Sequence, residues 1–598
     1  MGGARLYRVG APYNGVELSE VDFEQTADVM YLAHIDHPLT KLQRFGHTSW
    51  TFSPVAFGPT LNAPARVGAT AETPNTDADN SGAAYFPQTQ SYVVTALSDV
   101  TGQESRASVA ASVDNDLSLK RNFNTITWSA VTGADRYRVY KSDNTQDYGY
   151  IGTTDSLSFV DDNIGPALDQ GVPVGDNPFD GAGNYPSTVT LFEQRLMLAR
   201  TKNRPNGIWG SRSADFENFD VTRPLRDDDA LAIGVVAGRV NAINQLVPIS
   251  NLLALSSDAV FKIDGATDGG YLTATQARAR RQIGRGASRL SALVVDNVIF
   301  YQPASGSAVR MAGYSFEQDG YKSEDVTVFS PHLFRDFGVV SWAYAQEPDA
   351  VIWAARSDGK LLCFTFEQEQ QVWGWTLCET DGRVASVCTI SEDGEDRLYL
   401  TVWRTIGGIE RLFIERMASP RWEDPAASCY LDCAVTYAFD APRSRFGGLD
   451  HLEGRTVSAL ADGAVVRDLV VENGAVTLPP SVGEASTVTI GLPYAVTVET
   501  LPLVLGEGST AGRRQGLGRA VLKLVRSSQV QVGPTESKLY PVKQRIGEAY
   551  GTPDNLMDGD YLVSNESHVS GQVSLVVRQD APLPMTLTGV YLEPVVGG

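Results

Sequence analysis

The sequence has no uninterrupted apolar run of about 18 residues, the length that a membrane-spanning helix needs. Its first ten residues, MGGARLYRVG, contain no apolar stretch of the kind that marks a signal peptide. Histidine and cysteine are scarce, with six and five copies, which leaves little material for a metal centre. Basic residues are in deficit, since 49 Lys+Arg stand against 71 Asp+Glu and give a formal net charge of −22. We therefore expect a protein without a membrane span that does not grip DNA by its phosphates.

The residues that are abundant indicate a folded, turn-rich protein. Of the 598 residues, 42% are hydrophobic, which is enough for several packed cores and for roughly three to five domains. The 56 glycines and 30 prolines separate many short runs of strand-forming residues. No segment has the pattern of a long amphipathic helix. The predicted fold class is therefore mainly β.

Paired strand patterns recur through residues 176–420 with a unit of roughly 40–50 residues, which is typical of the blades of a β-propeller. Two such pairs are 251–256 with 259–264, and 397–403 with 410–415. We predict a propeller-like core, with a series of β-sandwiches as the structural alternative. Residues 1–57 are predicted to be strands that could close the propeller, and residues 421–598 are predicted to form one or more C-terminal β domains.

The region between the first strands and the repeats has two parts. Residues 58–85 are rich in Gly, Pro, Asn, Thr and Ala, and we predict a linker or loop there. Residues 86–175 contain Thr125-Ile-Thr-Trp128, then Gly133-Ala-Asp-Arg-Tyr-Arg-Val-Tyr140, then Ser158-Phe-Val-Asp161. These runs resemble a fibronectin type III domain, a β-sandwich in which such a Trp lies in the core. The resemblance implies a role in spacing or adhesion and no chemistry.

Sequence motifs that carry catalysis or metal binding are missing. There is no GxSxG, HExxH or GxxxxGK[ST] motif. The segment Asp77-Ala-Asp-Asn-Ser-Gly82 approaches the spacing of a calcium loop, but its twelfth position is Gln88 instead of Glu, so we predict an ordinary loop. His34 and His37 lie close together without a third ligand, which favours a role in a turn or core. We predict a protein that is not an enzyme and that has no cofactor and no metal site.

The cysteines and one pair of tryptophans receive structural interpretations. All five cysteines fall between residues 363 and 433 without a CxxC pair, and we predict reduced, buried thiols in a protein made in the cytosol. Trp373-Gly-Trp375 could form a stacking platform, but a place in the core of a propeller strand is favoured.

One basic cluster stands out against the acidic background of the chain. Three interpretations are open: a solvated loop between blades, a contact with an acidic neighbouring subunit, or a contact with nucleic-acid phosphates. The cluster consists of Arg278, Arg280, Arg281, Arg285 and Arg289.

Many segments, in this order, resemble the tail nozzle proteins of short-tailed bacteriophages, a family also called tail tubular protein B or stabilization protein. The resemblance extends from about residue 11 to residue 505 and is weakest in the fibronectin-like module and in the last ninety or so residues. The segments include Gln25-Thr-Ala-Asp-Val-Met-Tyr-Leu-Ala-His34, Ser330-Pro-His-Leu-Phe334, Trp342-Ala-Tyr-Ala-Gln-Glu-Pro348, Val372-Trp-Gly-Trp375, Leu452-Glu-Gly454, Ala461-Asp-Gly463 and Ile490-Gly-Leu-Pro-Tyr494.

The resemblance implies a virion structural protein: a homohexameric ring below the portal and adaptor, through which the genome is ejected. The implied partners are further copies of the chain, the head-to-tail adaptor protein, and tail fibres or spikes, with double-stranded DNA passing transiently. The chain would be synthesised in the host cytoplasm and would reside in the virion tail, and no catalytic residue is implied.

Physical chemistry adds an expectation about the channel and leaves two other classes of function open. We expect a net acidic channel wall, because every neutralised phosphate would add affinity and slow the DNA. The main alternative is a propeller lectin or adhesin that binds host surface glycan. A polysaccharide-degrading enzyme with paired carboxylates is the third hypothesis.

Overall fold

The structure is a computed structural model that describes residues 7–76, 84–143, 146–175, 177–222, 224–235, 241–265, 270–502, 514–544, 555–564, 568–569 and 573–596. Nearly all of its regular structure is β-strand, so the predicted mainly-β class is confirmed. Helices in these ranges are single turns, and none is long and apolar enough to cross a membrane. They are the α-helix α1 at Pro331–Phe334 and 3-10 helices at Glu17–Glu20, Phe316–Gln318, Pro425–Ala427 and Asp450–Leu452.

The chain divides into an N-terminal unit, Gly2–Pro331, and a C-terminal unit, His332–Gly598. The predicted repeat region 176–420 therefore contributes to both units. The N-terminal unit begins with a four-stranded antiparallel sheet whose strands follow one another in chain order, as in a propeller blade. Its strands are β1 Asp22–Thr26, β2 Val29–His34, β3 His37–Gly46 and β4 Ser49–Pro54.

A two-sheet sandwich follows the first sheet. Its strands are β5 Gly68–Glu72, β6 Gln88–Leu97, β7 Ala111–Asn115, β8 Phe123–Thr127, β9 Arg136–Ser142, β10 Gly149–Thr154, β11 Ser158–Asp161 and β12 Ala167–Gly171. The larger sheet has the order β12-β10-β9-β6-β7 and the smaller one β11-β8-β5. Trp128 packs between the sheets with Tyr92, Val94, Ile126 and Val139, so the prediction that it lies in a core is confirmed.

Strand β5 corrects the prediction that residues 58–85 are only a linker. Its five residues pair antiparallel with β8, and Ala69 opposes Ile126. The segment Gly-Ala-Thr-Ala-Glu has no large apolar side chain, so the alternation that marks a strand is missing from the sequence. The backbone hydrogen bonds of a neighbouring strand decide its structure instead. The loop predicted at 77–82 lies outside the described residues.

Three further four-stranded sheets complete the N-terminal unit, each again antiparallel with its strands in chain order. A two-stranded ladder, β13 with β17, accompanies them. The strands are β13 Pro173–Val174, β14 Thr188–Phe192, β15 Arg195–Ala199, β16 Gly207–Gly210, β17 Val221–Thr222, β18 Leu231–Gly234, β19 Ile243–Pro248, β20 Leu252–Ser256, β21 Val260–Asp264, β22 Arg278–Ile283, β23 Leu293–Val295, β24 Val298–Tyr301, β25 Arg310–Ser315 and β26 Gly320–Asp325.

The first sheet packs directly against the sheet that contains β14, although the sandwich lies between these two sheets in the sequence. Tyr31, Leu39, Leu198 and Trp209 share one apolar core. The Asp22 carboxylate accepts hydrogen bonds from the Thr188 hydroxyl, at 2.6 Å, and from the Val189 amide, at 3.1 Å. The strands predicted at residues 1–57 thus form a blade-like sheet; that they close a ring stays a prediction.

The C-terminal unit begins with two more sheets of the same antiparallel kind, one of four strands and one of three. Leu361 of the first sheet packs with Val387, Leu398 and Val402 of the second. The strands are β27 Val339–Ala345, β28 Val351–Arg356, β29 Leu361–Glu367, β30 Val372–Cys378, β31 Arg383–Glu392, β32 Glu395–Ile406 and β33 Ile409–Arg416.

The remaining strands build two packed β regions, one around Phe446, Val457 and Ile490 and one around Leu522, Val532 and Val577. The sheets have the orders β34-β39-β36-β37, β35-β38 and β40-β46-β42-β43, while β41 pairs with β44, β45 and β47. The strands are β34 Asp432–Arg443, β35 Arg445–Gly447, β36 Thr456–Ala461, β37 Ala464–Val470, β38 Ala475–Thr477, β39 Ala485–Leu492, β40 Val496–Glu499, β41 Gln515–Ser527, β42 Gln531–Thr535, β43 Lys538–Pro541, β44 Met557–Ser564, β45 His568–Val569, β46 Val576–Gln579 and β47 Thr586–Val596.

Candidate functional site

The arginine cluster does not lie on one loop. Arg278, Arg280 and Arg281 belong to β22, the outer strand of a blade-like sheet, and only the last two arginines, Arg285 and Arg289, follow that strand. The loop interpretation is therefore wrong for the first three. In the described structure, β22 is an edge strand with a neighbouring strand on one side only. Its side chains are mostly polar, so its sequence has the composition of a loop.

Two of the three arginines of β22 lie against a buried carboxylate. Asp264, at the end of β21, accepts hydrogen bonds from Arg278 Nε at 3.1 Å and from Arg280 Nη2 at 2.7 Å. Lys262 Nζ lies 3.6 Å from the same carboxylate. Such charge-assisted bonds hold the guanidinium groups in place and match part of their charge.

The other members of the cluster are dispersed. Arg281 lies 3.6 Å from the Asp258 carboxylate, and Arg289 lies 2.7 Å from Glu20 in the first 3-10 helix. Arg285 is exposed. Four of the five arginines thus have carboxylate partners within their own chain, which leaves a weaker positive field than the sequence indicates.

His34 and His37 meet at the turn between β2 and β3, with ring centroids 5.0 Å apart. His37 Nε2 lies 3.2 Å from Glu17, while the buried His34 accepts a hydrogen bond from the Asp36 amide at 3.2 Å. Burial lowers the pKa of His34, and the neighbouring His37 adds to this effect. The predicted turn or core role is confirmed: the pair holds the first 3-10 helix against the sheet. Among the residues that the structure describes, no group of three His, Cys, Asp or Glu side chains is arranged to hold a metal ion.

The cysteines are all unpaired thiols. Burial raises the pKa of Cys363 and of Cys433 to about 12 and that of Cys378 to about 11, so these thiols stay protonated at neutral pH. Cys388 differs because its side chain is exposed on β31. The prediction of buried thiols is therefore wrong for Cys388, and the other four cysteines are half-buried.

The two tryptophans of β30 have different surroundings. Trp375 stacks on the buried Phe364, with ring centroids 4.5 Å apart, and meets Phe334 edge to face at 4.8 Å. Trp373 lies farther out, 6.4 Å from Phe366, and is 40% exposed. The predicted packing role is confirmed for Trp375, whereas Trp373 forms the accessible end of the aromatic row.

A cleft at one end of the sandwich was not foreseen from the sequence. Its volume is about 760 Å³, and its wall combines the start of β6, the loop after β7, the end of β9 and the loop between β11 and β12. Amide and carboxylate side chains line it together with the rim residue Phe86. The contributing residues are far apart in the chain, so no local motif could reveal the cleft.

Polar contacts fix the inner wall of this cleft. The buried Lys141 lies 3.1 Å from the fully buried Asp161, which also accepts hydrogen bonds from the Tyr92 hydroxyl and the Ile164 amide at 2.6 and 2.7 Å. Asn115 is fully buried, and its side-chain Oδ1 has no hydrogen-bond partner among the described residues, whereas its backbone carbonyl accepts a hydrogen bond from Gln90 Nε2 at 3.2 Å.

Comparisons with known proteins assign no family. No family model and no curated protein matches the chain. Among solved structures, the chain is similar to a luciferin-regenerating enzyme at 8% identity and a TM-score of 0.22, covering 50% of this chain and 88% of the other. It is also similar to Raptor from Chaetomium thermophilum at 9% identity and a TM-score of 0.26, covering 65% and 27%. The WD40 repeats of RRP9 match at 10% identity and a TM-score of 0.27, covering 64% and 91%. Scores this low assign no function.

Proposed function

We propose that the chain is a structural subunit of a bacteriophage tail, a ring-forming nozzle that continues the DNA channel below the adaptor. The ordered series of sequence segments that resembles the tail nozzle family carries this proposal. The mainly-β architecture and the propeller-like sheets are compatible with a rigid ring subunit. The partners proposed are further copies of the chain, the adaptor protein, and tail fibres or spikes.

Several of the resembling segments occupy positions that define the fold. Ala461-Asp-Gly463 is the turn between β36 and β37, where the Asp462 carboxylate accepts hydrogen bonds from the amides of Ser486 and Thr487, at 3.0 and 2.7 Å. Val372-Trp-Gly-Trp375 supplies the aromatic row of β30. Shared residues at turns and cores support a shared fold more directly than shared surface residues do.

The distribution of charge supports passage of DNA without tight binding. Each phosphate that a protein neutralises adds salt-dependent affinity, and that affinity would slow a moving duplex. The most basic segment of this chain has carboxylates beside four of its five arginines. We propose that the channel wall is net acidic, with basic residues confined to narrow rings.

Electron microscopy tests the proposal. Negative-stain images of the purified chain, or of the virion tail labelled with an antibody against it, are expected to show a sixfold ring with an axial channel at the distal end of the tail. A chain that is absent from the tail and forms no ring would overturn the proposal. A channel map with a continuous wall of Lys and Arg would contradict the proposed acidic channel wall but not the proposed ring.

The sandwich cleft favours a second candidate function, an adhesin that binds host surface glycan. Sugar rings present C–H faces that pack on aromatic side chains and hydroxyls that pair with amides and carboxylates. Phe86, Gln88, Asp143 and Asn163 line the cleft with exposed side chains and supply both kinds of contact.

A glycan array with the full chain tests this candidate. Phe86→Ala should abolish any specific signal, because Phe86 is the exposed aromatic residue at the rim. Phe45→Ala is the matched control, since Phe45 is 68% exposed and Phe86 is 67% exposed, and it lies on β3, away from the sandwich. Binding that both variants retain equally would exclude the cleft as the site.

A further inference from the structure

The three-stranded sheet of the C-terminal unit ends in an open edge. Strand β33 pairs with β32 on one side, and no other described strand pairs with it. The preceding sheet, β27 to β30, has a fourth strand at the corresponding place. An exposed strand edge presents unpaired N–H and C=O groups, so it is a ready template for another strand.

Apolar side chains accompany this open edge. On β33, Leu412 is 51% exposed and Ile414 is 77% exposed. The register places Leu412 opposite Trp403 on the neighbouring strand, and Trp403 is itself partly exposed on the same face. A polar, short or bulged edge would discourage pairing, and β33 has eight residues and none of these protective features at its centre.

The sequence of β33 complements itself when it is read backwards. The seven residues Glu410-Arg-Leu-Phe-Ile-Glu-Arg416 have Phe413 at their centre and a Glu-Arg pair at each end. In an antiparallel pair of two such strands centred on Phe413, Glu410 faces Arg416 and Arg411 faces Glu415 of the other copy. Leu412 faces Ile414, so every cross-strand pair is either oppositely charged or apolar.

We propose that β33 is a self-association edge, which pairs antiparallel with β33 of a second copy of this chain about a twofold axis at Phe413. The pairing joins the two three-stranded sheets into one continuous six-stranded sheet. We assign an identical strand as the occupant of the edge because the charged and apolar residues of β33 complement those of a second β33. This match holds when the two strands run antiparallel. A parallel arrangement would place each Glu and Arg beside its own like charge.

The register of the pairing is fixed by the same charges. A slip by one residue in one direction places Glu410 opposite Glu415, and a slip in the other direction places Arg411 opposite Arg416. Like charges directly opposite each other are destabilising, so both slipped registers are disfavoured. A slip by two residues avoids like charges but leaves charged residues opposite apolar ones, such as Arg411 opposite Phe413, and it loses every opposite-charge pair. Among these registers, only the one centred on Phe413 pairs opposite charges at both ends of the contact.

Ion pairs within each chain hold the charged side chains at both ends of β33 in position for this contact. Arg383 lies 2.9 Å from Glu410, and Arg416 lies 2.9 Å from Glu392. Across the twofold axis, Glu410 of one chain then meets Arg416 of the other. The four side chains form a row of alternating charge that spans both sheets, an arrangement more favourable than an isolated surface pair.

The other face of β33, which carries Arg411, Phe413 and Glu415, gives a second reason for the pairing. Arg411 lies opposite Arg404 on β32, two like charges in one cross-strand position. The buried Arg404 binds Glu415 and Asp432, at 2.5 Å and 3.1 Å. In the dimer, Glu415 of the other copy stands opposite Arg411 and supplies the negative charge that Arg411 does not meet across its own strand pair.

This inference does not rest on the proposed function. A twofold contact uses the same edge on both chains, whereas the repeating contact of a sixfold ring joins two different surfaces. The β33 pairing is therefore an association of chains outside such a ring, and it covers an apolar edge that would otherwise be exposed in the free chain.

Charge reversal tests the pairing in the full chain by sedimentation equilibrium over a range of protein concentrations. The wild type is expected to dimerise. Glu410→Arg and Arg416→Glu should each raise the dimer dissociation constant at least about tenfold, because symmetry places two like-charge pairs in each variant dimer. A mixture of the two variants should recover dimerisation, since the introduced charges are then opposite across both ends of the contact.

The matched control is Glu324→Arg, which reverses an exposed carboxylate on β26 that is paired with Lys322 at 2.7 Å. It should leave the dimer unchanged. The proposal is overturned if the wild type stays monomeric at all concentrations, if association survives both single reversals, or if the mixture of variants fails to associate. Because recovery in the mixture requires two folded chains, loss of folding cannot produce the expected pattern.

Discussion

The carboxylate of Asp264 is covered by the guanidinium group of Arg280, with 2.7 Å between Oδ2 and Nη2. Arg278 reaches the other oxygen of the same carboxylate at 3.1 Å. This relationship explains how an acidic chain keeps its most basic segment in an ordered strand. Asp264 thereby offsets part of the positive charge of that surface.

Replacing Asp264 is expected to destabilise the N-terminal unit. In Asp264→Asn the cations of Arg278, Arg280 and Lys262 lose their shared carboxylate and repel one another. Because both arginines are partly exposed, we expect a loss of about 1–2 kcal/mol in the free energy of unfolding. Urea unfolding followed by tryptophan fluorescence measures this loss. Asp258→Asn is the control, since its contact with Arg281 is a solvent-exposed pair at 3.6 Å, and equal effects of both substitutions would refute the argument.

The same substitution is expected to increase affinity for DNA. Removing the Asp264 carboxylate frees arginine charge for phosphates, and binding of this kind weakens as salt rises. Fluorescence anisotropy with a labelled duplex should show tighter binding by Asp264→Asn than by wild type at about 50 mM salt, with the difference shrinking by about 200 mM. Asp169→Asn makes the same change in net charge at an exposed carboxylate of β12 that has no ion pair among the described residues, and it should leave binding at the wild-type level. If Asp264→Asn binds no better than this control, DNA does not reach the surface of β22.

Asp22 is expected to give the first sheet an unusual dependence on pH. Burial raises the pKa of its carboxyl to about 6, well above the usual value near 4. The folded chain therefore binds this proton more readily than the unfolded chain, so the contribution of Asp22 to stability rises as pH falls from about 6 to about 4. In Asp22→Asn this contribution disappears.

Denaturation curves at pH 4.5 and pH 7 measure the effect as a difference between wild type and variant. We expect that difference to change by about 1–2 kcal/mol over this range, allowing for the partial exposure of the residue. Asp28→Asn, in the same neighbourhood but on the exposed turn, should show no such change. A wild type and an Asp22→Asn variant with parallel pH profiles would show that Asp22 titrates normally.

Thiol reactivity should separate Cys388 from the other cysteines. Cys388 is exposed, whereas burial raises the pKa values of Cys363, Cys378 and Cys433. At pH 8 a thiolate-specific reagent should modify one cysteine of the native chain quickly and all five only after denaturation. Cys388→Ser should remove the fast phase. Rapid modification of two or more thiols in that variant would contradict the burial of the others.

Strands rich in large apolar residues were predictable from the sequence, and strands held by their neighbours were not. The patterns at 251–256 and 410–415 correspond to β20, which is buried at every position, and to β33, whose second half alternates between half-buried and exposed side chains. Strand β5 has no large apolar side chain, and three of the six residues of β22 are arginines, so neither shows an apolar strand pattern. Their structure depends on hydrogen bonds to β8 and β21, which are contacts of the folded chain.

The candidate sites, like the strands, were predictable only where their residues are adjacent in the sequence. The arginine cluster was visible because its residues are adjacent in sequence, but its carboxylate partners Glu20 and Asp264 were not assigned to it. Tertiary packing brings them together from other strands and from the first 3-10 helix. The cleft in the sandwich depends on four separate segments, and its position follows only from how the two sheets pack.

The hydrogen bond between Asp22 and Thr188 joins residues that are 166 positions apart, and the entire sandwich lies between them in the chain. During synthesis, the first sheet emerges from the ribosome long before its packing partner β14 exists. The apolar core and both sheets of the sandwich lie within residues 61–171, so the sandwich can fold in that interval, and its ion pair between Arg106 and Asp220 forms later. Until β14 is synthesised, the apolar face of the first sheet stays uncovered. The first sheet is therefore made before the sandwich but becomes stable after it, because the inserted module delays the synthesis of its packing partner.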